Sequence, residues 1–173
     1  GLGHSSPLEH ASFTFGIEGV SRSFLAQITR HRIASFSVQS QRYVDMSAAD
    51  MVVPPAIAQD GEASEAFSQA IKSAKYAYDH LHHVLEDIHT YELMLGDSKL
   101  TEKQARNKAS KMANEDARFV LPEACQTRML VTMNARELNN FFKLRCCTRA
   151  QWEIRQVAEE MLKLVYPIAP HLF

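Results

Sequence analysis

Between Ser64 and Leu95 the apolar residues Phe67, Ile71, Ala74, Tyr78, Leu81, Leu85, Ile88 and Leu95 recur mainly at alternating steps of three and four. That near-heptad spacing predicts one long amphipathic helix. A helix of roughly thirty residues spans about 45 Å, whereas a chain of 173 residues, 46% of them hydrophobic, can bury one sizeable core. The helix is longer than such a domain covers, so part of it is expected to pack on another subunit.

Shorter pieces flank it. Gly3 to His10 reads as a turn containing Pro7, followed by a short strand over Ala11 to Phe15. Ser21 is placed to cap a helix running to about Arg30, with Phe24, Leu25 and Ile28 as its apolar stripe; on that helix Gln27, Arg30 and His31 share one face. Ile33 to Tyr43 loses the helical period and reads as an extended loop or edge strand, and Met51-Val52-Val53-Pro54-Pro55 breaks the chain before the long helix. After Gly96, Thr101 opens a helix whose Ala105, Ala109, Ala113 and Ala117 make a small-residue ridge suited to close packing. Thr127 to Met133 alternates as a strand with Met129, Val131 and Met133 on one face. Asn134 and Glu137 have capping-box spacing ahead of a helix with Leu138, Phe141, Phe142 and Leu144 as core. Thr148-x-x-Gln151 resembles a second box, opening a last helix buried through Trp152, Val157, Met161 and Val165. The expected fold is α+β: a single domain over residues 1–173, with a small antiparallel sheet packed against long helices.

A net charge of −1 argues against a nucleic-acid binder that works by counterion release. Three cysteines, Cys125, Cys146 and Cys147, read as reduced thiols of a cytoplasmic protein. No apolar run approaches the roughly 20 residues of a membrane helix, no signal segment opens the chain, and no Gly-x-Gly-x-x-Gly follows a strand, which argues against a Rossmann-type cofactor site.

Arg30 to Tyr43 holds three arginines, a histidine, three serines and two glutamines without one acidic residue. Cations at a helix C-terminus gain about 0.3–1 kcal/mol from the macrodipole, which accounts for one or two of them but not for the Ser40-Gln41-Arg42 that follows. So many unpaired donors ask for an external anion, and phosphate leads. Glu86 and His89 form a Glu-x-x-His on the long helix, the spacing of di-iron bundles. No second copy occurs in the chain, so a polar helix face is the preferred account and no metal is assigned.

Arg30-His31-Arg32, seven residues, then Ser40-Gln41-Arg42 resembles the signature of the flavin-dependent thymidylate synthases. Gly3-His4-Ser5-Ser6-Pro7-Leu8-Glu9-His10, Ala117-Arg118-Phe119-Val120-Leu121-Pro122, and Asn134-Ala135-Arg136 through Leu144-Arg145 to Ala150-Gln151-Trp152-Glu153-Ile154 match that family in the same order. The resemblance implies reductive methylation of dUMP to dTMP, with methylenetetrahydrofolate as carbon donor, NADPH as reductant and FAD carrying the hydride, and no cysteine nucleophile. It implies a dUMP site of Gln27, Arg30, Gln39, Ser40, Gln41, Arg42, Arg118 and Arg145. Arg145 lies near the base, where a cation favours loss of the N3 proton. The resemblance assigns FAD to His4, Ser6, Arg30, His31, Arg32, Asn134, Arg136 and Asn140; Gln151 is a lesser candidate for an outer hydrogen bond in the site. The active site is expected between subunits of a homotetramer, with no nucleic acid or membrane as partner.

Two departures stand out. Val38 occupies a position where some family members carry a polar residue that reaches the ligands. The family also carries sequence before the Gly-His-x-x-Pro segment, which here begins at residue 3; the N-terminal part of the family domain is either trimmed or naturally short. Two other readings stay open: a nucleotide- or phosphate-binding module without turnover, and a metal-dependent helical protein using Glu86 and His89. A yellow protein bleached by NADPH favours the enzyme, and elemental analysis decides on metal.

Overall fold

The computed structural model describes residues 4–96 and 99–173; Gly3 of the first motif lies outside them. The chain forms two compact units, one of residues 1–38 with 126–173 and one of residues 39–125.

The first unit is built on a three-stranded antiparallel sheet: β1 (Ser12–Ser21), β2 (Ala34–Val38) and β3 (Gln126–Asn134), in the order β1-β3-β2. β1 runs well past the predicted Phe15, because its alternation survives a bulge between Ile17 and Val20. Gly19 supplies the positive φ, 71°, that a bulge of this kind favours. Phe15, Ile17, Met129, Val131 and Met133 alternate onto one face. Against it pack α1 (Arg22–Ile28), α5 (Ala135–Arg145) and α6 (Trp152–Val165), through Phe24, Ile28, Leu138, Phe141, Phe142, Ile154, Met161 and Val165. The opposite face carries Thr14 and Thr132, whose hydroxyls pair across the strands at 2.8 Å. Val38 belongs to the apolar face, opposite Met129 and packed on the core. Leu144 does not, being 52% exposed.

Helix starts follow side-chain caps. Ser21 Oγ accepts the Phe24 N–H at 3.0 Å, and Asn134 Oδ1 accepts that of Glu137 at 2.9 Å. α6 is opened by Gln151, whose Oε1 accepts the N–H groups of Glu153 and Ile154, and not by the predicted Thr148 box. Glu153 is thereby turned to Ser21, accepting its N–H at 2.7 Å and its hydroxyl at 2.6 Å.

The second unit is a helical hairpin. After the short α2 (Pro55–Ala58), α3 (Gly61–Gly96) runs 36 residues and α4 (Glu102–Ala117) returns along it. The direction is antiparallel, since Asp87, His82 and Tyr78 meet Arg106, Ser110 and Asn114 in turn. The alanine ridge of α4 is fully buried, and Thr101 with Gln104 forms a complete capping box. Of α3's residues only Tyr78 and Thr90 are buried; Ile88 and Leu95 of the predicted seam are exposed. Among the described residues no helix is long and apolar enough to cross a membrane.

Candidate functional site

α1 stops at Ile28, two residues short of the predicted end. Thr29 turns its hydroxyl back to the Leu25 carbonyl at 2.8 Å, and the N–H groups of Arg30 and His31 close a tight turn on Gln27 and Ile28. Gln27, Arg30 and His31 therefore do not share a helical face. The turn sends His31 inward, to 6% exposure, and leaves Arg30 and Arg32 in solvent. Neither of those guanidiniums, nor the Gln27 amide, makes a side-chain hydrogen bond among the described residues.

His31 sits between two charged groups. Its Nδ1 is 2.9 Å from Glu137 Oε1, and its Nε2 is 3.1 Å from Arg145 Nε. The ring stands edge-on to Phe141, with centroids 4.9 Å apart. An arginine nitrogen can only donate, so Nε2 accepts, and the ring proton resides on Nδ1 and is donated to Glu137. Arg145 thus pairs with an imidazole, while the acid Glu153 is taken by Ser21. Its two terminal nitrogens form no hydrogen bond among the described residues and are available to a ligand.

Glu137 also lines a pocket of about 600 Å³ with Glu9, Ile33, Asn134, Arg136 and Asn140. Asn140 Nδ2 donates to Glu137 Oε1 at 3.4 Å, and Arg136 is ion-paired with Glu9. The Asn134 oxygen accepts the α5 cap bond, which leaves the NH₂ of that amide without a hydrogen bond among the described residues. Three residues assigned to FAD, Asn134, Arg136 and Asn140, are brought to one pocket, and His31 joins them through Glu137. His4, just before the 3₁₀ turn Ser6–Glu9, and Ser6, at its start, lie exposed, and neither side chain makes a hydrogen bond among the described residues. Two amides, the apolar Ile33 and an arginine already paired with Glu9 around one cavity fit a planar heterocycle with hydrogen-bonding edges.

In the second unit Glu115 gathers two arginines assigned to the nucleotide. Arg42 Nε donates to Glu115 Oε1 at 2.7 Å, and a terminal nitrogen of the same guanidinium meets that oxygen as well. Arg118 Nε donates to the Glu115 carbonyl at 3.1 Å. The hydrogen bond to Glu115, with its charge, pushes the Arg42 pKa further up, keeping the guanidinium cationic. Ser40 Oγ accepts the Arg42 N–H at 3.2 Å and so shapes the turn; no basic side chain hydrogen-bonds to it among the described residues. Gln41 reaches toward Cys125 Sγ at 3.8 Å, and Gln39 is half-buried where the chain leaves β2.

The alternative metal pair is not assembled. His89 turns to Glu92 at 3.2 Å, while Glu86 faces His82 at 3.8 Å and Arg106 at 3.7 Å. His82, His83 and Glu86 bring ligand atoms within 4.8 Å of one another; His82 faces Glu86 through Nδ1 and Ser110 through Nε2, at 3.3 Å.

A family model described as thymidylate synthase complementing protein matches residues 1–171. The chain belongs to that family. Among curated members it is 49% identical over 171 residues to the flavin-dependent thymidylate synthase of Clostridium tetani, covering 99% of this chain and 65% of the relative. It is 50% identical over 171 residues to that of Nitratidesulfovibrio vulgaris, covering 99% and 62%. The chain thus spans a little under two thirds of these relatives' length. The crystal structure of the Helicobacter pylori flavin-dependent thymidylate synthase complexed with FAD and dUMP superposes with a TM-score of 0.64 at 26% identity, over 98% of this chain and 75% of that one.

Sequence reasoning missed two residues, Glu115 and Glu137. Glu115 sits three positions before Arg118, inside a helix of mixed charge, with nothing local to mark it. Glu137 did carry a signal, as the acidic member of the Asn134 cap spacing. Half of that box forms, since Asn134 accepts the Glu137 N–H, but the carboxylate is diverted to His31.

Proposed function

We propose that the chain is a flavin-dependent thymidylate synthase that methylates dUMP reductively to dTMP, taking carbon from methylenetetrahydrofolate and reducing power from NADPH, in the cytoplasm. The observation that carries this reading is the 49–50% identity, across 99% of the chain, to relatives of that name. Both compact units are assigned to one catalytic domain over residues 1–173, with the complete site formed between subunits of a homotetramer.

Arg42, Arg118 and Ser40 hold the dUMP phosphate, with Gln39 and Gln41 beside them. An exposed carboxylate such as Glu115 is a weak competitor for a dianion. Gln27 and Arg30 line the nucleotide site. Arg145 aims its terminal N–H groups at the base and favours negative charge on the ring, which makes C5 more electron-rich. Asn134, Arg136, Asn140, His31 and Arg32, with Arg30, His4 and Ser6, hold FAD, which when bound supplies the hydride. Cysteine has no part in this scheme.

The test is tritium release from dUMP labelled at C5, with methylenetetrahydrofolate and NADPH, with and without FAD. Release that requires FAD is expected. Tight dUMP binding with no release under any of these conditions would leave a nucleotide-binding module instead.

A further inference from the structure

We infer that Glu137 is the positioning residue of this site: through His31 it fixes the direction in which the Arg145 guanidinium points. The inference rests on the reading of Arg145 as the group that meets the pyrimidine base.

Glu137 is a carboxylate with 7% exposure, and a buried carboxylate persists only where hydrogen bonds compensate its lost hydration. It could have had a local partner by turning back to its own helix cap. Its Oε1 instead takes the His31 Nδ1 proton at 2.9 Å and the Asn140 amide at 3.4 Å. That choice decides the tautomer. With the proton on Nε2, the imidazole and Arg145 Nε would face each other as two donors, and the contact at 3.1 Å could not persist. The carboxylate at Nδ1 selects the form in which Nε2 accepts, while Phe141, edge-on to the ring, limits its tilt.

Once Nε is bonded to His31 the guanidinium plane is set. What remains is the end bearing the two terminal nitrogens, whose N–H groups run side by side and suit a pair of adjacent acceptors. The imide edge of a pyrimidine that has lost its N3 proton presents such a pair. The same carboxylate lines the pocket with Asn134, Arg136 and Asn140, so one residue links the flavin-side lining to the arginine on the base side. Glu137 need not touch either ligand to do this; it acts through His31.

The first measurement uses the wild-type chain: long-range ¹H–¹⁵N correlation of the His31 ring at mildly alkaline pH, without ligands. A proton on Nδ1 and a bare Nε2 are expected; a ring protonated at Nε2, alone or with Nδ1, overturns the inference. Glu137→Gln keeps an oxygen that can accept from Nδ1, so it should retain that tautomer and bind dUMP within a few-fold of wild type. Glu137→Ala removes the acceptor; the ring should populate the Nε2–H form and dUMP affinity should fall roughly tenfold. An unchanged ring in Glu137→Ala, or equal losses from Gln and Ala, would also overturn it. A wild-type chain that fails to bind dUMP speaks against the assigned activity, whereas the ligand-free ring spectrum still decides the role of Glu137.

Discussion

Neighbouring cysteines show how far a side chain's chemistry depends on a few ångströms of surroundings. Cys146 lies beside Leu162, Tyr166 and Pro167, where burial, and then the charge of Glu159, pushes its thiol pKa up. Cys147 is lowered by hydrogen bonds from Arg149, the backbone N–H first. As pH rises Cys147 therefore forms thiolate first, and since the thiolate is the nucleophile, iodoacetamide near neutral pH should label Cys147 ahead of Cys146 by peptide mass spectrometry. Cys146 follows Arg145 in the chain, but neither thiol hydrogen-bonds to His31, Glu137 or Arg145 among the described residues. Cys146→Ala and Cys147→Ala should each leave FAD-dependent tritium release largely in place, and complete loss from either in a folded protein would restore a thiolate route. The Arg-His-Arg run stood out in the sequence because it lacks local acids. That Arg42 meets Glu115, and that His31 turns inward, was not legible, since both depend on groups distant in the chain.

At the scale of elements, periodicity served best where packing is repetitive. α3 was placed within three residues of its observed start, and the α4 alanines are as buried as their spacing implied. What holds the hairpin in register is a polar contact that no pattern announces. Tyr78, 1% exposed, brings its hydroxyl 3.0 Å from Asn114 Oδ1 and accepts the Met46 N–H at 3.1 Å. Tyr78→Phe leaves both groups buried without a partner, a cost of about 1–3 kcal/mol. Lower resistance to urea and faster hydrogen exchange at the Met46 amide are expected; exchange as slow as in wild type would refute the contact. The predicted α1 end failed for a related reason, because Thr29 bonds back to Leu25 and the chain must straighten into β2.

For the molecule as a whole, α3 is the element whose partner is least accounted for. Its 36 residues span about 54 Å and the 16 of α4 about 24 Å. Along it Tyr76, Val84, Ile88, Tyr91, Met94 and Leu95 are exposed. A face of that kind fits the proposed self-association. Sedimentation should give a species of several chains, and Ile88→Glu with Leu95→Glu should shift it toward smaller ones. A wild-type monomer at all concentrations would end the proposal.

Local order alone determined most of the helices and strands, though not where β1 and α1 end, together with the caps at Ser21, Thr101 and Asn134 and the motif that marks the family, because periodicity and capping act over a few residues. Only the tertiary structure decided which partner each polar side chain takes. His31 meets Glu137 across 106 positions and Arg145 across 114, and a hydrogen bond between such distant groups exists only once the sheet and its helices have packed and excluded water from them.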